Sequence, residues 1–122
     1  MTKILIIDDS EVIRDLLQEY LIDIGYDVDL AVNGLDGIEK ALQGNYRIIF
    51  CDIHMPKRNG YQVFTEVSAR KPASSFVMTD SLPDHLAEMA EKAGACRTLT
   101  KPFDLNEVKA TIESILSGTK VK

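Results

Sequence analysis

The chain has 122 residues, 45% of them hydrophobic and 27% charged, with a net charge of -5. That length suits one domain, the balance is globular rather than disordered, and the acidic surplus with no basic patch argues against direct nucleic-acid binding. No apolar run reaches the roughly 18 residues that a membrane helix needs, and the opening residues lack a secretory leader, so the reading is a cytoplasmic protein.

Lys3 to Asp8 is predicted as the first strand. Ser10 caps the next helix, Glu11 to Ile24, with Ile13, Leu16, Leu17, Tyr20 and Ile24 facing inward and Gly25 as its stop. Asp27 to Val32 alternates polar and apolar residues like a half-buried edge strand, and Asn33-Gly34 is a turn. Leu35 to Gln43 is helical, with Leu35, Ile38, Ala41 and Leu42 inward, and Gly44-Asn45 ends it. Arg47 to Asp52 is nearly all apolar and reads as a central strand. Met55 to Gly60 is a loop. Tyr61 to Lys71 is a helix showing Val63, Phe64 and Val67 to the core, and Pro72 closes it.

Ser75 to Thr79 is the fourth strand. Pro83 opens a helix through Ala93, with Leu86, Met89 and Ala90 inward and Gly94 as its stop. Arg97 to Thr100 is the fifth strand. Asp104 caps a last helix carrying Leu105, Val108, Ile112, Ile115 and Leu116, which Gly118 ends. Lys120-Val121-Lys122 reads as a frayed tail. Strand and helix alternate five times. Right-handed crossovers then give an α/β, flavodoxin-like (βα)5 fold: a doubly wound, five-stranded parallel sheet in the order 2-1-3-4-5.

Neither Cys51 and Cys96 nor His54 and His85 show a metal-ligand spacing, so the cysteines read as free thiols in a reducing compartment and zinc is not expected. The chemistry lies elsewhere. Ile4 to Ile7 runs into Asp8-Asp9, Ile48 to Cys51 into Asp52, Phe76 to Met78 into Thr79, and Leu99-Thr100 into Lys101. In a parallel sheet these C-terminal ends gather on one edge, where open α/β sheets place their sites. Converging carboxylates in low dielectric need a cation or a proton. An all-oxygen set favours Mg²⁺, with Mn²⁺ as the alternative. A carboxylate can also attack phosphorus and form an aspartyl-phosphate. That transfer needs neutralised phosphoryl oxygens more than acid–base chemistry, and an ion with one ammonium supplies it. Singly, Asp8 and Asp9 read as helix-capping acids, Thr79 as an ordinary strand residue and Lys101 as a snorkelling lysine. Their recurrence at successive strand ends weakens those readings.

These residues carry a family resemblance. Ile-Leu-Ile-Ile-Asp8-Asp9, Asp52-Ile-His-Met55-Pro56 with Asn59-Gly60, Thr79, and Lys101-Pro102-Phe103 together resemble the receiver domain of bacterial two-component response regulators, over Lys3 to about Leu116. The resemblance implies that Asp52 accepts a phosphoryl group from a histidine kinase or a histidine phosphotransfer protein. It implies that Asp9, Asp52 and the backbone carbonyl of His54 hold Mg²⁺, with Asp8 acting through water. Thr79 and Lys101 would contact the phosphoryl group and pass on the switch. The expected organisation is a single receiver domain over 1–122 with no output domain, like the chemotaxis type. Its function would be to change which proteins it binds, as a monomer or weak dimer, with slow self-dephosphorylation as its only catalysis. The output protein is not readable. By resemblance, the partner face carries His85, Glu88, Lys92, Arg97 and Lys109.

Three positions depart from the family pattern. Asp80 stands after Thr79, where a small residue is usual. A charge about 8 Å from a phosphoryl group costs about 2 kcal/mol at an effective dielectric of 20 and about 0.5 kcal/mol in water, which shifts affinity from phosphoryl toward metal. Thr98 stands where an aromatic switch residue is common. Arg58 replaces a frequent apolar residue and reads as solvated rather than paired with Asp80 or Asp52. His54 sits two residues past Asp52, where the side chain influences hydrolysis in receivers. The alternative reading is a degenerate receiver that docks without phosphorylation, and Asp80 and Thr98 are its support. A phosphatase with an aspartate nucleophile would want an acid at position 54, and a flavin protein would want a hydroxyl- and glycine-rich loop in place of Asp8-Asp9.

Overall fold

Five short apolar runs and five amphipathic segments fold, in this computed structural model describing residues 1–81 and 84–118, into alternating strands and helices. They are β1 (Lys3–Ile7), α1 (Glu11–Asp23), β2 (Asp27–Ala31), α2 (Gly34–Gln43), β3 (Ile48–Asp52), α3 (Gly60–Arg70), β4 (Ser75–Asp80), α4 (His85–Lys92), β5 (Arg97–Thr100) and α5 (Leu105–Ser117). All strand pairings are parallel, and the order is β2-β1-β3-β4-β5, as the alternation predicts. Residues expected at Pro83 and in the Lys120-Val121-Lys122 tail lie outside the described residues.

Successive side chains of a strand point to opposite faces, so each central strand feeds two cores. Leu5, Ile7, Ile49, Cys51, Phe76 and Met78 face α2, α3 and α4, and Phe64 of α3 meets Phe76 edge-on at 5.2 Å. Ile4, Ile6, Ile48, Phe50, Val77 and Leu99 face α1 and α5. β3 is buried at every position, which explains its unbroken apolar sequence.

Each helix starts on a side-chain oxygen that satisfies one of its open amides: Ser10, Asn33, Asn59, Asp84 and Asp104. Asn33-Gly34 is therefore a helix start rather than a free turn, with Asn33 Oδ1 accepting from the Asp36 amide at 2.9 Å. Asn59 and Gln62 form a reciprocal capping box at α3. Gly25, Gly94 and Gly118 all take positive φ past helix ends, where a side chain would be strained.

The helix faces differ from expectation at three positions. Leu16, Leu35 and Leu116 are exposed, while Leu21 is fully buried beside Leu17. Leu16 and Leu17 lie about 100° apart on a helix, so only one of them can meet a narrow contact line. The pair spaced four apart, Leu17 and Leu21, takes it. On α2 the sheet is met by Gly37 and Ala41 rather than Leu35. A Cβ on Gly37 would come within 2.6 Å of the Ile7 side chain.

Candidate functional site

The parallel sheet places Asp8-Asp9, Asp52, Thr79 and Lys101 on one edge, as their sequence positions require. Register sets Asp52 beside Thr79 on adjacent strands. Lys101 follows β5 and is drawn toward Asp80 by its own amide, which donates to the Asp80 carbonyl at 2.7 Å. The Lys101–Pro102 peptide bond is cis.

The centre of the site is an ammonium held between two buried carboxylates. Lys101 Nζ lies 2.8 Å from Asp8 Oδ2 and 3.3 Å from Asp52 Oδ1. Asp8 is 2% exposed and Asp52 5%. The other Asp8 oxygen accepts from the Ser10 amide at 2.9 Å, and Arg14 donates to the Asp8 carbonyl at 2.8 Å. Both Asp8 oxygens are thus held in place. Asp9 is exposed, yet donor oxygens of Asp8, Asp9 and Asp52 lie within 4.8 Å of one another.

Electrostatics follow from that crowding. Burial, then the charge of Asp8, push the Asp52 carboxyl up to about 6, against a smaller downward pull from Lys101. Burial alone would lower the Lys101 ammonium, but its hydrogen bond and charge pairing with Asp8, then Asp52, outweigh burial and hold it above its ordinary value. Burial also raises the Cys51 thiol, followed by the charges of Asp52 and Asp8, so Cys51 is a core group rather than a nucleophile.

Asp9, Asp52 and Lys101 line a cavity of about 870 Å³, together with His54, Asp80 and Asp84. Asp8 and Thr79, each 2% exposed, are not among its lining residues. The His54 ring lies against Asp80 and Asp84. Arg58 pairs with neither Asp80 nor Asp52: its side chain stays solvated, as expected, with Nε 3.5 Å from the exposed Glu66 on α3. Thr98 keeps a buried hydroxyl with no hydrogen-bond partner among the described residues. The described residues contain no helix long and apolar enough to cross a membrane.

Residues 4–113 match the model of the response regulator receiver domain. The chain belongs to this family. A receiver's sheet order and its acidic strand ends are both present here. The transcriptional regulatory protein ResD of Bacillus subtilis is 33% identical over 115 residues, covering 94% of this chain and 48% of that protein. The response regulator ArlR of Staphylococcus aureus is 30% identical over 116 residues, covering 95% of this chain and 53% of that protein. The receiver chain therefore spans about half the length of the curated relatives it matches. Among solved structures, the response regulator TrrA of Thermotoga maritima in complex with Mg²⁺-BeF superimposes with a TM-score of 0.86 at 30% identity, over 94% of this chain and 99% of that one. The chemotaxis protein CheY4 of Vibrio cholerae superimposes with a TM-score of 0.87 at 28% identity, over 94% of this chain and 98% of that one.

The donor set suits the divalent ion that family membership implies. Three carboxylates offer oxygen alone, which hard cations take. One of them, Asp52, is pushed up to about 6 by burial and then by the charge of Asp8, and a cation there would offset both.

Proposed function

We propose that this receiver is a phosphorylation-controlled switch whose acceptor is Asp52. The observation that carries the proposal is the Lys101 ammonium bridging Asp8 and Asp52 at the edge of a cavity that Asp9 also lines. The Asp52 carboxylate attacks the phosphorus of a donor phosphohistidine, the P–N bond breaks, and its electron pair leaves on the imidazole nitrogen, which then takes a proton. Lys101 shifts its hydrogen bonds from Asp52 toward a phosphoryl oxygen. Thr79, one strand away, donates its hydroxyl to another. Asp9, Asp52 and the His54 carbonyl would hold Mg²⁺, with Asp8 reaching it through water because both Asp8 oxygens are already engaged. That ion supplies neutralisation of the phosphoryl oxygens and keeps Asp52 ionised.

Output is a changed protein-binding surface rather than turnover, with self-dephosphorylation as the only catalysis. The face carrying His85, Glu88, Lys92 and Lys109 is exposed and available to a partner, whereas Arg97 is engaged by Glu107 at 2.9 Å. Borohydride reduction after phosphorylation tests the acceptor, because it converts an aspartyl-phosphate to homoserine. Peptide mapping is expected to find homoserine at position 52. Homoserine at position 8 or 9, with position 52 unchanged, would overturn the assignment.

A further inference from the structure

A second group of donors converges on the rim of the same cavity. His54 follows β3, Asp80 ends β4, and Asp84 caps α4. His54 Nε2 lies 3.0 Å from Asp84 Oδ2 and 3.4 Å from Asp80 Oδ2, and one donor atom of each residue lies within 4.8 Å of the others. The Asp84 oxygens divide their work: Oδ1 accepts from the Leu86 amide at 3.0 Å, and Oδ2 is turned to His54.

Two features of this geometry suit a metal ion better than hydrogen bonding alone. A single imidazole N–H can donate a straight bond to only one carboxylate, yet two carboxylates from different elements face the same ring nitrogen. A cation satisfies both at once. The three donor atoms, all within 4.8 Å of one another, are also close enough to converge on one ion at bonds of about 2.1 Å with small side-chain rotations. One ligand, Asp80, is 2% exposed and is held in place by the packed end of β4.

We propose that His54, Asp80 and Asp84 form a binding site for a divalent transition-metal ion of the Zn²⁺ class. The imidazole nitrogen selects such an ion over Mg²⁺, which the neighbouring all-carboxylate group would take. The ligands come from three elements, so no His/Cys spacing in the sequence announces them. An ion there ties the start of α4 to the ends of β3 and β4, the part of the chain adjoining Thr79. The site rests on its own ligands and not on the phosphorylation of Asp52.

Calorimetric titration of the full chain with Zn²⁺ in saturating Mg²⁺ tests it. One Zn²⁺ per chain is expected. His54→Ala and Asp84→Asn, the latter keeping the helix cap, should each weaken binding by about tenfold or more, while Asp9→Asn leaves it unchanged. Co²⁺ in place of Zn²⁺ should show an absorption band that His54→Ala removes. No Zn²⁺ binding would overturn the proposal. So would binding that survives His54→Ala but is lost in Asp9→Asn, which would place the ion on the carboxylate trio.

Discussion

Asp52 is a buried acid whose protonation the fold itself favours, and that has a pH signature. Its carboxyl is pushed up to about 6 by burial and by Asp8, from an ordinary value of 3.8. Between those two pH values the folded chain holds a proton that the unfolded chain has released, so this group's contribution to stability falls as pH rises through the window. In chelator-containing buffer, the stability advantage of Asp52→Asn over the parent should grow by about 1–2 kcal/mol from pH 4 to pH 7, a value reduced for solvent screening. Urea unfolding at several pH values measures it, and an advantage independent of pH would show that Asp52 titrates normally. Asp9 adds a further, smaller upward push on Asp52. Asp9→Asn should therefore raise the metal-free melting temperature and shrink the stabilisation given by Mg²⁺. A lower melting temperature with full Mg²⁺ stabilisation would contradict this. Asp80 lines the same cavity, buried against His54. Asp80→Ala should speed acetyl-phosphate labelling and weaken Mg²⁺ binding, measured side by side. Unchanged values for both would leave Asp80 without a part in the site's electrostatics. The strand-end residues were legible because a parallel sheet turns sequence position into spatial position. The His54–Asp80–Asp84 contact was not, because it depends on side-chain directions from three elements.

At the scale of elements, close approach decides more than apolarity does. Strand order and all ten elements follow from the alternation of apolar runs and helical periods, with ends displaced by a residue or two where caps intervene. The inward faces were less legible. Large residues such as Leu16 and Leu35 signal burial in a sequence, but where a helix lies close to the sheet the contact is made by Gly37, Ala41, Ala87 and Ala90. Gly60 is the case nearest the site. It opens α3, and its amide donates to the Ile53 carbonyl at 2.7 Å. A Cβ there would strike the Asp52 carbonyl oxygen and approach Ile53 Cα to 2.8 Å. Both are backbone atoms that cannot step aside. Gly60→Ala should cost about 2–3 kcal/mol in urea unfolding and slow phosphorylation, because relief moves the segment carrying Asp52. A loss under about 0.5 kcal/mol would show that α3 shifts freely at its start.

Over the whole molecule, one sheet edge combines a buried base with an exposed rim. β1, β3 and β4 fix Asp8, Asp52 and Thr79 from fully packed strands, while the rim residues Asp9, His54 and Asp84 are exposed. Under the proposed function, a phosphoryl group entering the cavity would meet Lys101, which lines it, with Thr79 buried beneath on β4. The most direct test is intact-mass spectrometry after incubation with acetyl phosphate and Mg²⁺, with Asp52→Asn and chelator controls. Addition of one phosphoryl mass that both controls abolish is expected. No addition, repeated with a phosphorylated histidine donor, would contradict it and favour a receiver that docks without phosphorylation.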